Sequence, residues 1–120
     1  MTLAQAVSKS LDDYFREARE LEAREDYAGA EKIYQEASAN FPLQAELLKR
    51  LGLIYQTELK FQESIDTFQK VLQQAPQYPE VNFYLGLSYF GLNQFEKAIE
   101  AFNKELEANP KYRRAHYYAA

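Results

Sequence analysis

Leu51-Gly52-Leu53-Ile54-Tyr55 and Leu85-Gly86-Leu87-Ser88-Tyr89 are one phrase written twice, and Gly52 and Gly86 lie 34 residues apart. Tyr55 and Tyr89, Phe61 and Phe95, Phe68 and Phe102, and Pro76 and Pro110 keep the same separation. The same step back from the earlier copy reaches Ala18, Tyr27, Ala30, Tyr34 and Pro42. A third, more diverged copy therefore stands first, with Glu17-Ala18 in place of Leu-Gly and Leu21 in place of Tyr. A repeat of this length constrains the fold strongly, because one unit cannot bury its own apolar face and needs a neighbouring copy to cover it. The units run over 11–44, 45–78 and 79–112, with 1–10 before them and 113–120 after.

Within each unit the apolar residues have helical spacing, broken once. Leu47, Leu48, Leu51, Ile54 and Tyr55 form one face, and after Thr57-Glu58-Leu59-Lys60 the pattern restarts with Phe61, Ile65, Phe68, Val71 and Leu72. The third unit repeats this with Phe83, Tyr84, Leu87 and Phe90, then Phe95, Ile99, Phe102 and Leu106. Pro42, Pro76 and Pro110 close each second helix, since proline cannot donate the next backbone hydrogen bond. Asn93 with Glu96 has the spacing of a capping box at the start of a helix. Gly52 and Gly86, with Ser64 and Ala98, are placed where paired helices cross, because larger side chains would push the backbones apart. The expected architecture is all-α: three helix pairs.

These residues resemble the tetratricopeptide repeat. The matches are Leu51-Gly52…Tyr55, Ser64…Phe68 and Pro76, then Leu85-Gly86…Tyr89, Ala98…Phe102 and Pro110, with Ala18, Ala30, Tyr34, Ala37 and Pro42 in the first unit. The resemblance spans residues 11 to 112 and implies a right-handed superhelical stack of antiparallel helix pairs, an α-solenoid. Departures are Tyr14, Leu48 and Asn82 where Trp is common, and Val71 and Glu105 where a late Ala is common. Asn82 and Glu105 are expected to weaken the packing of the third unit slightly.

The flanks read as partial elements. Thr2 and Gln5 have cap spacing, and Leu3, Val7 and Leu11 would extend the first helix backward by about two turns. "LAQA" also resembles the small-residue end of a cleaved secretory signal, although no apolar region precedes it. A cytoplasmic location is expected, with the bacterial periplasm or secretion as the alternative. Residues 113–120 align with the first helix of a fourth unit or a capping helix. Their aromatic edge, including Tyr117 and Tyr118, is expected to support weak self-association as a homodimer.

Composition excludes several functions. A net charge of −4 and a pI near 5.1 argue against a nucleic-acid surface, which needs a basic field. With no Cys and one His, His116, neither a metal site nor an activated nucleophile is supported, and no cofactor is expected. "REARELEARED", Arg16 to Asp26, alternates charge at helical spacing, as a solvated helix face does. No apolar run approaches the roughly 18 residues of a membrane span. An enzyme is not expected.

Protein–protein interaction is the remaining class. The resemblance implies that first helices line a concave surface through Asp12, Phe15, Arg19, Glu22 and Ala23; Glu46, Lys49, Leu53, Gln56 and Thr57; and Glu80, Phe83, Leu87, Phe90 and Gly91, continued by Tyr117. A peptide or helix of a protein partner would dock there, with Phe15, Arg19, Lys49, Leu53, Gln56, Phe83, Leu87, Phe90 and Tyr117 as the candidate contacts. For Phe83 and Phe90 a second reading stands, in which the rings pack on neighbouring helices. Tyr27, Tyr34, Tyr55, Phe61, Phe68, Tyr89, Phe95 and Phe102 are read as core. Some relatives clamp chaperone C-terminal carboxylates with Lys, Asn and Arg; here those places hold Phe15, Arg19, Arg50, Glu80 and Tyr84, so that activity is not supported. Self-association through the C-terminal edge, or a regulatory role within a larger protein, are the alternatives.

Overall fold

The computed structural model describes residues 9–112, 114 and 115. Six helices follow one another in three pairs: α1 (Leu11–Ala23) and α2 (Tyr27–Asn40), α3 (Ala45–Thr57) and α4 (Phe61–Gln74), α5 (Val81–Gly91) and α6 (Phe95–Ala108). Among the described residues there is no strand, and no helix is long and apolar enough to cross a membrane. The extents are 56 × 26 × 21 Å and the radius of gyration is 15.6 Å. A spherical chain of this length would have a radius of gyration of about 13.6 Å, so the pairs are stacked into a rod.

The turn inside each pair is the same structure three times. Glu25, Leu59 and Asn93, again 34 residues apart, have φ of 59°, 62° and 60°. Each donates its N–H to the carbonyl three residues back (Glu22, Gln56, Phe90), and the next residue donates to the carbonyl five back (Leu21, Tyr55, Tyr89). This is a Schellman turn, in which one left-handed residue satisfies the orphan carbonyls of a helix end. Asn93 is therefore the left-handed residue of a turn and not a helix cap. The residue before α6 is Gln94, which makes no side-chain cap bond. Nor does α1 run back through Ser10: that residue is extended and makes a capping box with Asp13, each bond 3.1 Å. Residues 1–8, including Thr2, Leu3 and Val7, lie outside the described residues.

The repeated glycines set the helix crossings. A Cβ on Gly52 would lie 2.5 Å from Phe68 Cε1, and one on Gly86 would lie 2.5 Å from Phe102 Cε1. Ordinary carbon contacts are about 3.5–4.0 Å, so each ring occupies the space a side chain would need. Successive apolar clusters join the pairs: Tyr14, Ala18, Tyr34, Leu47 and Ile54; then Leu48, Ile65, Phe68, Val81 and Leu85; then Phe83, Ala98, Phe102 and Ala115. Between units a polar contact also repeats. Gln35 Nε2 donates to Tyr55 Oη at 2.9 Å, and Gln69 Nε2 donates to Tyr89 Oη at 3.2 Å.

Glu105 departs from its expected role. Its side chain is 2% exposed, and its Oε2 accepts the backbone N–H of Glu80 at 3.2 Å. Glu80, in the cap position of α5, is itself left-handed (φ 71°) and makes no cap bond through its side chain. The carboxylate from α6 thus supplies acceptors, and negative charge, to the first turn of α5. Burial pushes the Glu105 carboxyl above its usual range, while the N–H groups of Glu80, Phe83 and Asn82 pull it down.

Candidate functional site

The first helices α1, α3 and α5 are the rows that the sequence assigns to a binding surface. The structure separates the described candidate residues by burial and by partner. Phe83 is fully buried (0%), its ring 5.7 Å from that of Phe102 and 5.2 Å from that of Tyr112. It is a core residue, and the groove assignment is corrected: Phe102 of α6, in the same pair, and Tyr112 and Ala115 of the segment that follows close over it. Gln56 is committed internally, its Nε2 donating to Ser88 Oγ at 2.7 Å and to the Tyr84 carbonyl at 2.8 Å. Phe90 is 49% exposed, but its ring leans edge-on against Phe95, 5.1 Å away, at the end of the stack. Tyr117, with His116 and Tyr118, lies outside the described residues.

Phe15, Lys49, Leu53 and Leu87 remain half-buried, and Arg19 is exposed. These are joined by Arg50, which the sequence reading did not place among the candidate contacts. Arg50 places its guanidinium carbon 5.3 Å from the Phe15 ring centre, and Lys49 Nζ lies 5.7 Å from the Tyr78 ring and 5.9 Å from the Tyr84 ring. Both are cation–π contacts, which hold a positive charge without neutralising it. Arg50 Nε lies 3.3 Å from Glu46 Oε1, yet this buried N–H has no acceptor in hydrogen-bond geometry.

Three acidic members of the same rows, Glu22, Glu46 and Glu80, are tied down, whereas Asp12 is exposed. Tyr34 Oη donates to Glu22 Oε2 at 2.7 Å, Tyr78 Oη to Glu46 Oε2, and Tyr112 Oη to Glu80 Oε2 at 3.0 Å. Burial first, then these carboxylates, push the three phenols up, Tyr78 to about 12. A signal for two of these bonds was present, since Glu46 and Glu80, and Tyr78 and Tyr112, recur at the repeat spacing. The surface therefore offers Arg19, Lys49 and half-buried leucines, with Arg50 shared with Glu46, while Glu22, Glu46 and Glu80 are engaged by tyrosines. Chemically it can bind; among the described residues no group of His, Cys, Asp and Glu could hold a metal.

Stacked helix pairs with a shared lateral surface define an α-solenoid repeat protein. Tetratricopeptide-repeat sequence models match residues 15–79 and 79–112, and the chain belongs to that family. No curated protein matches the sequence. Among solved structures, one of MamA is similar with a TM-score of 0.82 at 23% identity, covering 88% of this chain and 58% of that one. The Sgt2 TPR domain from Aspergillus fumigatus gives 0.83 at 21%, covering 90% and 73%. The first TPR of Spaghetti (RPAP3) bound to the HSP90 peptide SRMEEVD gives 0.84 at 17%, covering 88% and 84%. At these identities the likeness establishes the fold. This chain spans a little under three-fifths of that MamA structure's length.

Proposed function

We propose that this chain is a non-catalytic protein-interaction module, and that the surface of α1, α3 and α5 takes a short peptide pairing acidic residues with apolar anchors. The observation that supports it most is the pair of cations on α3: Arg50 over the Phe15 ring and ion-paired with Glu46 at 3.3 Å, and Lys49 beside the Tyr78 and Tyr84 rings. A ligand carboxylate that met these cations would gain charge-assisted hydrogen bonds, which are stronger than neutral ones. Leu53 and Leu87 supply partly exposed apolar surface for anchors. The peptides in two structural relatives, SRMEEVD and SGPTIEEVD, combine the same two kinds of residue. The clamp residues of the chaperone-binding relatives are not reproduced here, so the partner is a different acidic segment.

Selection from a displayed library of random 12-residue peptides tests this. Enrichment of sequences joining Asp or Glu to Leu, Ile, Val or Phe is expected. Binding of a selected peptide should fall at least tenfold in Arg50→Ala and in Lys49→Glu, with melting temperatures nearly unchanged. Enrichment of basic peptides, or equal binding by both variants, would overturn the proposal.

A further inference from the structure

Asn82 stands where the earlier units have Tyr14 and Leu48, and like them it is buried, at 6% exposure. Leu48 has no polar group to satisfy, and the Tyr14 hydroxyl accepts from Asn40 Nδ2 at 2.8 Å. The Asn82 side-chain amide makes no hydrogen bond to any described residue. Buried polar groups are rarely left this way without a reason. Asn82 lines a cleft of about 510 Å³ between α4, α5 and α6, with Leu72, Leu85 and Ala101 as its apolar lining. Ligand sites are typically roughly 300–1,000 Å³, mostly apolar, with a few placed polar groups. The charge beside Asn82 also differs from its counterpart one unit earlier. Lys97, Glu100 and Lys104 line the cleft along α6, where the equivalent positions on α4 hold Glu63, Asp66 and Lys70. Two carboxylates and one ammonium have become two ammoniums and one carboxylate, in a chain of net charge −4. Lys104 is 3.6 Å from Glu100, both side chains exposed. Lys97 makes no ion pair with a described residue and stands 5.8 Å from the Tyr89 ring centre, a contact that leaves its charge unneutralised.

We infer that this cleft is a binding site for a small anion in which a carboxylate stands beside an amide. Asn82 is both donor and acceptor, so it can give one hydrogen bond to the ligand's amide and take one from it. Lys97 meets the carboxylate through a charge-assisted bond. Gln73 adds a second amide on the α4 side, while Gln69 is already turned to Tyr89 Oη at 3.2 Å. Leu72 and Leu85 cover the carbon chain that joins the two polar groups. Two sources share this chemistry: a free acylamino acid, and an acidic residue within a peptide chain. None of the lining residues is a candidate contact of the surface on α1, α3 and α5, so binding here does not depend on peptide binding there.

The test is heteronuclear NMR of the isotope-labelled full chain, titrated with N-acetylglutamate as the free anion and with acetyl-Gly-Glu-Gly-amide as the peptide. A saturable shift of the Asn82 side-chain amide signal is expected with at least one probe, and at least tenfold weaker binding of the neutral N-acetylglutaminamide. Saturation by N-acetylglutamate makes the free anion the source, and saturation by the peptide alone makes it a protein segment. Asn82→Leu restores the residue of the preceding unit and should keep the wild-type helicity, so loss of binding there is not loss of fold. Binding followed at the Tyr89 and Lys97 backbone signals should weaken at least tenfold in Asn82→Leu and in Lys97→Glu. No saturable shift with either probe, or equal affinity in Asn82→Leu, would overturn the inference. So would binding lost in Arg50→Ala and kept in Asn82→Leu, since the anion would then sit on the surface of α1, α3 and α5.

Discussion

Gly52→Ala adds a single methyl group at a helix crossing, and two effects of opposite sign decide its outcome. Alanine inside a helix is favoured over glycine by about 1 kcal/mol, so in an exposed helix the change would stabilise. Here the new Cβ would sit 2.5 Å from Phe68 Cε1, with Cδ1 and Cζ at 2.8 and 2.9 Å. Ordinary contact needs about 1 Å more. Phe68 is fully buried and cannot swing into solvent, so the ring and the helix behind it must shift. Overpacking of this kind costs about 1–3 kcal/mol, and the surrounding solenoid resists because α3 also touches α2 and α5. The crossing term wins: a net loss of about 1–2 kcal/mol is expected, or a fall in Tm of roughly 4 °C per kcal/mol for a domain of this size. Urea unfolding followed by circular dichroism measures it. A double-mutant cycle with Phe68→Leu isolates the cause, because a smaller side chain at 68 should make Gly52→Ala close to neutral, a coupling of about 1 kcal/mol or more. A Gly52→Ala protein as stable as wild type, or a cycle with no coupling, would refute the account of the crossing.

Three other outcomes follow from the same geometry. Leu59 is left-handed and exposed, and Asn93 fills the equivalent turn, so Leu59→Asn should raise stability by about 0.5–1 kcal/mol with an unchanged denaturant slope. Phe83→Ala should cost about 3–5 kcal/mol while Leu87→Ala costs about 1 kcal/mol, so calorimetry giving the reverse order would mean that the groove and core assignments are exchanged. Glu105 has a carboxyl held above its ordinary 4.5 by burial, so the folded chain keeps a proton that the unfolded chain releases. Its contribution to stability therefore declines as pH rises through the window above 4.5. Glu105→Gln removes that titration, and its Tm relative to wild type should improve from pH 4.5 towards 7; a difference flat in pH would count against it.

The repeat, its helix pairs and the crossing glycines could all be read from the chain because they depend on spacing. A residue 34 positions from its counterpart must do the same packing job wherever both have neighbours, so Gly52 and Gly86 each meet a phenylalanine ring as their recurrence implies. Three features needed the tertiary structure. Phe95 repeats Phe61 in sequence yet is exposed, because covering it takes a following helix pair and not a property of the residue itself. Asn93 has the spacing of a cap but serves as a turn residue, since helix-end geometry depends on φ, which Leu59 and Glu25 adopt despite their poor propensity for it. The binding surface was the least readable, because whether Phe83, Gln56 or Arg50 is free depends on partners far along the chain. Gln56 meets Ser88 and Arg50 lies over Phe15, contacts that arise only when one helix pair is laid on the next, and Phe83 meets Tyr112 of the segment that follows the last pair.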